Sequence, residues 1–246
     1  MLVQIDYELE FDAPFHFGTG VTAGLIDRTV IRDANRYLYV PASTFKGVVR
    51  EHCEHLSRFY LPKTPVASPH DAFATLTQFG KAPSLITRIF GSPLYPSGLH
   101  FDDARQEEGR RERYKDVQTS DATQARIDRL TGTAANEALY TSEFGTRYLV
   151  FRGTIKGQLD CTPIPALPDS ETDIPQPTYS LLLLLAGMLM VERLGGNKST
   201  GKGQCHCEIK GVWLDKKRCS EQLWRSWIEQ LEVLSTYASS QEGGQG

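Results

Sequence analysis

The chain has 246 residues, of which 40% are hydrophobic and 23% are charged, as in an ordinary globular protein with one sizeable core. The formal net charge of -3 argues against a surface coated in positive charge for nonspecific nucleic-acid binding, so any nucleic-acid contact must come from local basic stretches. The N-terminus, MLVQIDYELEF, is not that of a signal peptide, and the longest apolar run, Leu181 to Val191, is too short to cross a bilayer. We therefore expect a soluble cytoplasmic protein with no membrane partner.

The N-terminal segment predicts a strand, a loop, a hairpin and a helix in that order. Val3 to Phe11 places apolar side chains at every second position and polar ones between them, which predicts a half-buried strand. The turn-rich FHFGTGVTAG follows, and Thr29 to Val40 predicts a hairpin that turns at Asp33. Ser43 is expected to cap a helix that continues to Leu56 with apolar residues at helical spacing.

The remaining chain predicts a second helix and a second core strand. Residues 60–123 have many prolines and little sustained period, so we expect insertions and loops there. Residues 124–160 favour a protruding β-hairpin. Beyond a proline-rich linker, the sequence predicts these segments: a helix at Tyr179 to Leu194, a strand at Cys205 to Leu214, a helix at Arg218 to Leu234 and a flexible tail at 239–246.

This order of elements is that of an α+β protein with a ferredoxin-like core and a large insertion. We expect a single domain over residues 1–246. The cysteines are expected to be reduced thiols, because their number is odd and no CxxC pair occurs. His52, Cys53 and His55 suggest zinc by their proximity, but neighbouring helical positions point apart, so we interpret them as helix surface.

The glycine-rich segment GGNKSTGKGQ, from Gly195 to Gln204, is the most informative local feature. Glycines let a backbone approach a phosphate closely, and Lys198 and Lys202 add positive charge. A nucleotide-binding P-loop is disfavoured because Gly203 stands where Ser or Thr would hold Mg²⁺, and because a helix precedes the loop. The alternatives that stay open are a helix C-cap with a flexible turn and a site for an RNA backbone.

Six segments in order resemble the RAMP superfamily, and more closely the repeating backbone subunit of type III CRISPR effector complexes. They span roughly Phe15 to Gly203, most of the chain. The segments are FHFGTG with GLIDRTVIRD, YVPASTFKGVVR, IFGSPLYPSGLHFDDA, IDRLTGTAANEALY, FGTRYLVF and GGNKSTGKG. The resemblance implies a ferredoxin-like RNA-recognition core, an inserted subdomain at 60–123 and a β-hairpin thumb at 124–160.

The resemblance also implies partners and site residues. The expected partners are a guide RNA, a complementary target RNA, neighbouring backbone subunits and other CRISPR effector subunits. The protein would hold the RNA backbone while base pairing reads the sequence. The residues expected to bind RNA are His16, Ser43, Lys46, Arg50, Arg126, Arg129, Gly196, Lys198, Ser199 and Lys202.

Asp27, in GLIDRTV, falls where target-cleaving members of the family carry an aspartate on a mobile loop. A carboxylate there is expected to act as a base, or to hold a divalent ion (Mg or Mn) while the ribose 2′-hydroxyl attacks; no organic cofactor is expected. The resulting hypothesis is a metal-dependent endoribonuclease within a complex. Two alternatives remain: a non-catalytic guide-RNA-binding subunit, in which Asp27 is only a polar loop residue, and a stand-alone guide-precursor endoribonuclease that uses His16.

Overall fold

The computed structural model describes residues 1–62, 83–160, 162–165, 167 and 174–237. It is a mixed α/β structure in which every strand pairing of the two sheets is antiparallel. The strands are β1 Leu2–Phe11, β2 Tyr39–Val40, β3 Leu99–Phe101, β4 Ala104–Arg105, β5 Thr119–Ile127, β6 Ala134–Gly145, β7 Val150–Gln158, β8 Cys205–Leu214 and β9 Lys217–Cys219. The helices are α1 Ala42–Tyr60, α2 Leu85–Phe90, α3 Glu108–Tyr114, α4 Tyr179–Leu189 and α5 Glu221–Glu229.

β1 is the centre of the main sheet. It pairs with β7 on one side and with β8 on the other, in the order β2-β4-β7-β1-β8-β9, and β3 also pairs with β7. The predicted alternation along β1 is confirmed, since Val3, Ile5 and Leu9 are buried on one face while Gln4 and Glu10 are exposed on the other. A strand with this pattern covers a core on one side only.

Helices α1 and α4 cover the apolar face of the sheet. The ring of Phe45 on α1 stacks on that of Tyr7 on β1 at 4.3 Å between centroids. α4 is apolar on every side and almost wholly buried, as expected for a helix in the centre of a core. The two helices meet at Gly187, where the Cys53 thiol donates to the Leu183 carbonyl at 3.3 Å.

The opposite face of the sheet carries ion pairs. Glu8 on β1 contacts Arg152 on β7 at 2.9 Å and Lys210 on β8 at 3.3 Å, and Arg152 also contacts Glu107. Burial opposes ionisation of Glu8, but the hydrogen bonds from Arg152 and Lys210 outweigh it and lower the pKa of this carboxyl. None of the helices in the described part of the chain is long and apolar enough to span a membrane.

A second sheet is formed by the hairpin β5–β6, which spans 119–145. The sequence predicted this hairpin at 124–160, which differs from its observed position. The reason is that β7 pairs with β1 over its whole length and therefore belongs to the main sheet and not to the hairpin. The segment 60–123, expected as insertions and loops, also contributes the short strands β3 and β4 to the main sheet. Residues 63–82 and the tail at 239–246 lie outside the described residues.

Several predicted element ends are corrected by the structure. Pro41 occupies the cap position of α1, and Ser43 is an exposed residue inside the helix, so the prediction that Ser43 caps it is wrong. Asp103, from the turn between β3 and β4, instead accepts a hydrogen bond from the Ala42 amide at 2.9 Å. α4 ends at Leu189 rather than Leu194. The C-terminal helix begins at Glu221, capped by Ser220, because residues 217–219 form β9.

Candidate nucleic-acid interface

The glycine-rich loop leads from the end of α4 back to β8 and packs against the first loop of the chain. Gly195 and Gly203 have positive φ values of 93° and 75°. A Cβ at Gly203 would lie 2.0 Å from the Leu194 carbonyl oxygen, and one at Gly195 would lie 2.6 Å from the His16 carbonyl oxygen. These two glycines are therefore required by close packing of the backbone.

Several amides of this loop donate hydrogen bonds within the fold. Gly196 donates to the His16 carbonyl and Gly203 to the Pro14 carbonyl, each at 2.8 Å, while Lys202 donates to the Asn197 carbonyl at 3.3 Å. The exposed residues Lys198 and Ser199 belong to a short 3-10 turn that projects from this base. Side chains of the loop, more than its glycine amides, are thus presented outward.

His16, Phe144 and Lys202 form one cluster beside the loop. The His16 ring lies 5.7 Å from the Phe144 ring, and the Lys202 ammonium lies 4.9 Å from the same ring on β6. A cation over an aromatic face is attracted by its quadrupole, so Lys202 is held at this surface rather than extended freely. The His16 Nδ1 lies 2.8 Å from the Glu143 carbonyl oxygen, which fixes the ring. Positive charge and an imidazole are brought together here.

Asp27 lies on an exposed segment that pairs with β6. Its amide donates to the Thr141 carbonyl at 2.9 Å, and its carboxylate Oδ2 accepts from the Thr141 amide at 2.7 Å. Arg28 next to it lies 5.4 Å from the centre of the Tyr140 ring. Both residues are exposed, so Asp27 presents its other carboxylate oxygen to solvent from a segment that β6 holds in register.

Lys46 and Arg50, the basic residues predicted for the site on α1, contact β3 and the end of α2. Lys46 lies 5.4 Å from the centre of the Phe101 ring on β3, and burial, with the nearby charge of Arg50, lowers the pKa of its ammonium. Arg50 donates to Glu54 at 2.8 Å and to the Gly91 carbonyl at 3.2 Å.

His52 lies on the other side of α1 from Lys46 and Arg50, since about 3.6 residues make one turn. Burial lowers the pKa of His52, and the charge of Lys198 lowers it further.

Comparison with protein families supplies a classification. The family model of the RAMP superfamily matches residues 8–206, which include the His16 loop, α1, the hairpin and the glycine-rich loop. The chain belongs to the RAMP superfamily. RAMP proteins work in CRISPR complexes with RNA and other subunits, and membership indicates a CRISPR-associated RNA-binding subunit. No curated protein matches this sequence.

In this RAMP protein, the hairpin arginines lie away from the His16 cluster. Arg129 is exposed in the turn between β5 and β6, where Asp128 accepts hydrogen bonds from the amides of Leu130 and Thr131 at 2.7 and 3.1 Å. These bonds lower the pKa of Asp128 and stabilise the turn. Arg126 belongs to β5, and its side chain lies outside the described residues.

The donors for a metal ion are few. Across the described residues, no three His, Cys, Asp or Glu side chains come together as a metal-binding group. Cys53 faces the core, and burial raises the pKa of its thiol, so it points away from the His52 and His55 rings. Asp27 supplies a single carboxylate, which suits an ion such as Mg²⁺ that is bound through one or two carboxylates together with phosphates of the substrate.

Phe144 and Glu143 are site residues that the sequence reasoning missed. They lie just before Gly145, the last residue of β6, in a strand whose sequence gave no alternation pointing to a buried face. Gly145 exchanges two hydrogen bonds with Phe15, and a Cβ there would lie 2.3 Å from the Phe15 ring. The combination of Phe15 and Gly145 is the sequence signal for this contact, but it is recognisable only once the two segments are known to pair.

Proposed function

We propose that this RAMP protein is a backbone subunit of a type III-like CRISPR ribonucleoprotein, which holds a guide RNA and cleaves the complementary target RNA with the help of Asp27. The core would be ferredoxin-like, with residues 119–145 as the thumb. The strand order supports this, because β1, α1 and the strands β3 and β4 are followed along the chain by β7, α4 and β8, and β7 and β8 flank β1 in the sheet.

The observation that carries the proposal is that β6 holds the two candidate RNA-facing groups together. Glu143 and Thr141, two residues apart on β6, bind the His16 ring and the Asp27 carboxylate respectively. The Gly196 amide donates to the His16 carbonyl, and Lys202 lies over the Phe144 ring that His16 also contacts. A guide backbone bound at His16 and the loop would therefore lie next to the carboxylate that meets the target, and sequence would be read by base pairing.

Lys46, Arg50 and Ser43 would form a second contact with the guide. Lys46 and Arg50 lie on the α1 flank that faces β3 and α2. Because Arg50 already donates to Glu54 and to Gly91, and burial lowers the pKa of Lys46, we assign these two residues a smaller share of guide affinity than Lys202. Arg129, at the hairpin turn, would meet the paired strands from the thumb.

Cleavage would use the nucleophile that RNA contains. The 2′-oxygen forms a bond to the adjacent phosphorus as the bond from phosphorus to the 5′-oxygen breaks, which gives a 2′,3′-cyclic phosphate and a 5′-hydroxyl. The proton that the 2′-hydroxyl loses is taken up by Asp27 or by solvent, and the 5′-oxygen gains a proton. A bound Mg²⁺ or Mn²⁺ would stabilise charge on the phosphate, and Asp27 would be the residue that holds it. Arg28 next to Asp27 is placed to stabilise the same charge.

A non-catalytic guide-binding subunit is the second candidate. Its specific support is that one oxygen of the Asp27 carboxylate already accepts the Thr141 amide, which gives this aspartate a structural role in holding the segment to β6. In that case neighbouring subunits would cut or signal.

A single-turnover cleavage assay with guide-matched RNA tests the proposal. In the assembled complex, Asp27→Asn keeps an oxygen that accepts the Thr141 amide but loses the charge, and we expect cleavage to fall about 10²-fold or more with target binding unchanged. Asp116→Asn, an exposed aspartate before β5, is the matched control and should cleave normally. Wild-type cleavage by Asp27→Asn at every position would favour the second candidate. Cutting of guide precursor without target would instead indicate a processing enzyme.

A further inference from the structure

Glu143 on β6 contacts two separate segments of the chain, the one around His16 and the one from Arg28 to Arg32. Its carboxylate pairs with both terminal nitrogens of Arg32, with Nη1 at 3.1 Å from Oε2, and accepts the Val30 amide at 3.0 Å. Its own amide donates to the Arg28 carbonyl at 2.9 Å, and its carbonyl accepts from the His16 ring. The contacts of this one residue thus reach the His16 ring and the segment that directly follows Asp27.

The Glu143 carboxylate is ionised and nearly enclosed. The side chain is 7% exposed, against 32% for Arg32. Burial opposes ionisation, but the hydrogen bonds from Arg32 and Val30 outweigh it and lower the pKa of Glu143. A buried charge with a bidentate partner has few alternative arrangements, because each lost bond leaves an unsatisfied group.

The chemistry of the His16 contact also fixes its tautomer. A carbonyl oxygen can only accept, so the Nδ1 of His16 carries the proton and donates to Glu143. In the neutral ring, Nε2 is then the unprotonated nitrogen. A Cβ at Gly18 would lie 2.9 Å from this Nε2, so the nitrogen is turned toward the first loop and the neighbouring glycine-rich loop.

We propose that Glu143 is a positioning residue for both RNA strands: through Arg32 and Val30 it fixes the Asp27 segment, and through its carbonyl it fixes the His16 ring. This role rests on the proposed function. Its physical content is geometric, because the side chain has the length needed to reach Val30 and Arg32 together while its backbone pairs with Arg28. Displacement of a catalytic group by about 1 Å can reduce a rate by about 10²-fold.

Two substitutions separate geometry from charge. Glu143→Asp keeps the charge but is one methylene shorter, whereas Glu143→Gln keeps the length and one acceptor oxygen but loses the charge. A positioning role predicts that the single-turnover cleavage rate of Glu143→Asp falls by about 10-fold or more relative to wild type. The rate of Glu143→Gln should fall less. Glu221→Gln, which removes an exposed ion pair on α5, is the control and should leave the rate unchanged.

A second readout does not depend on cleavage. In Glu143→Asp, the amides at 27–30 should exchange faster, while the NMR tautomer signature of His16 should stay that of the wild type, because the carbonyl of residue 143 belongs to the backbone. The inference is overturned if Glu143→Asp retains wild-type exchange, if the neutral His16 ring of the wild type carries its proton on Nε2 instead of Nδ1, or if the cleavage rate of Glu143→Asp falls only in proportion to lost guide-loaded complex. Should wild type itself fail to cleave, or Asp27→Asn cleave normally, the proposed function fails, while exchange and tautomer still decide the role of Glu143.

Discussion

The amide of Gly196 donates to the carbonyl of His16 at 2.8 Å, which joins the glycine-rich loop to the first loop of the chain. The first loop directly follows the central strand β1. The glycine-rich loop directly precedes β8, which pairs with β1. Phe144 lies beside both and receives the His16 ring and the Lys202 ammonium. Residues from three distant segments thus form one surface, and predictions about this surface can be tested residue by residue.

Lys202 is expected to contribute directly to guide retention. Replacing it with Gln removes one positive charge but leaves the Asn197 carbonyl bond, which involves only the backbone. We expect guide affinity to fall for every guide sequence, and the slope of log K against log salt to decrease by about one, because one phosphate contact is lost. Filter binding across a salt series measures both quantities.

Lys216 provides the matched control for Lys202. It is an exposed lysine in the turn between β8 and β9, beside the start of β1 and thus at the far end of the sheet from the loop. Lys216→Gln should leave the affinity and the salt slope unchanged. Equal losses in the two variants would show that the effect is general charge and not a contact at the loop.

The sequence predicted the core better than the site. The alternation of Val3 to Phe11 and the apolar run of α4 report burial directly, so β1 and α4 could be located from the pattern of single segments. The register of Asp27 against Thr141, and the contact of Glu143 with Arg32, depend on pairing between distant segments that single-segment patterns do not encode. The Ser43 cap failed for the same reason, since the acceptor that replaces it comes from Asp103.

Asp103 should stabilise α1 where Ser43 does not. Its carboxylate accepts the first helical amide, Ala42 N, and negative charge near a helix N-terminus is favourable. Asp103→Ala is expected to lower the free energy of unfolding by about 0.5–2 kcal/mol, while Asp103→Asn, which keeps an acceptor, should lose less. Urea unfolding without RNA gives these values. Ser43→Ala is the control and should change little; a larger loss from Ser43→Ala would contradict the observed cap.

Glu143 should make stability depend on acidity. Its pKa in the folded protein is below the ordinary value of 4.5, so it stabilises the fold fully above that pH. This contribution is lost as the pH falls through the lower folded-state pKa. The difference in melting temperature between wild type and Glu143→Gln should therefore be largest near about pH 7 and shrink toward about pH 3. Glu221→Gln should differ little from wild type throughout, because exposed pairs contribute little. A constant difference for Glu143→Gln would show that its charge contributes nothing.

Gly187 tests how closely α1 and α4 approach. Glycine inside a helix is normally less stable than alanine by about 1 kcal/mol, which alone would make Gly187→Ala stabilising. Here the added Cβ would lie 2.3 Å from the Cys53 Sγ and 3.3 Å from the Val49 carbonyl oxygen. Overpacking should therefore dominate, and we expect a loss of about 1–3 kcal/mol by urea unfolding.

The partner substitution and a control make this last prediction decisive. Cys53→Ala removes the sulfur that the new methyl group would meet, so the double variant with Gly187→Ala should be more stable than the sum of the single effects predicts, by about 0.5 kcal/mol or more. Gly47→Ala, on the exposed side of α1, adds a Cβ with no atom within 4 Å and should stabilise by about 0.5–1 kcal/mol. Additive effects of Gly187→Ala and Cys53→Ala would mean that the backbone of α1, and not the thiol, limits how closely the two helices pack.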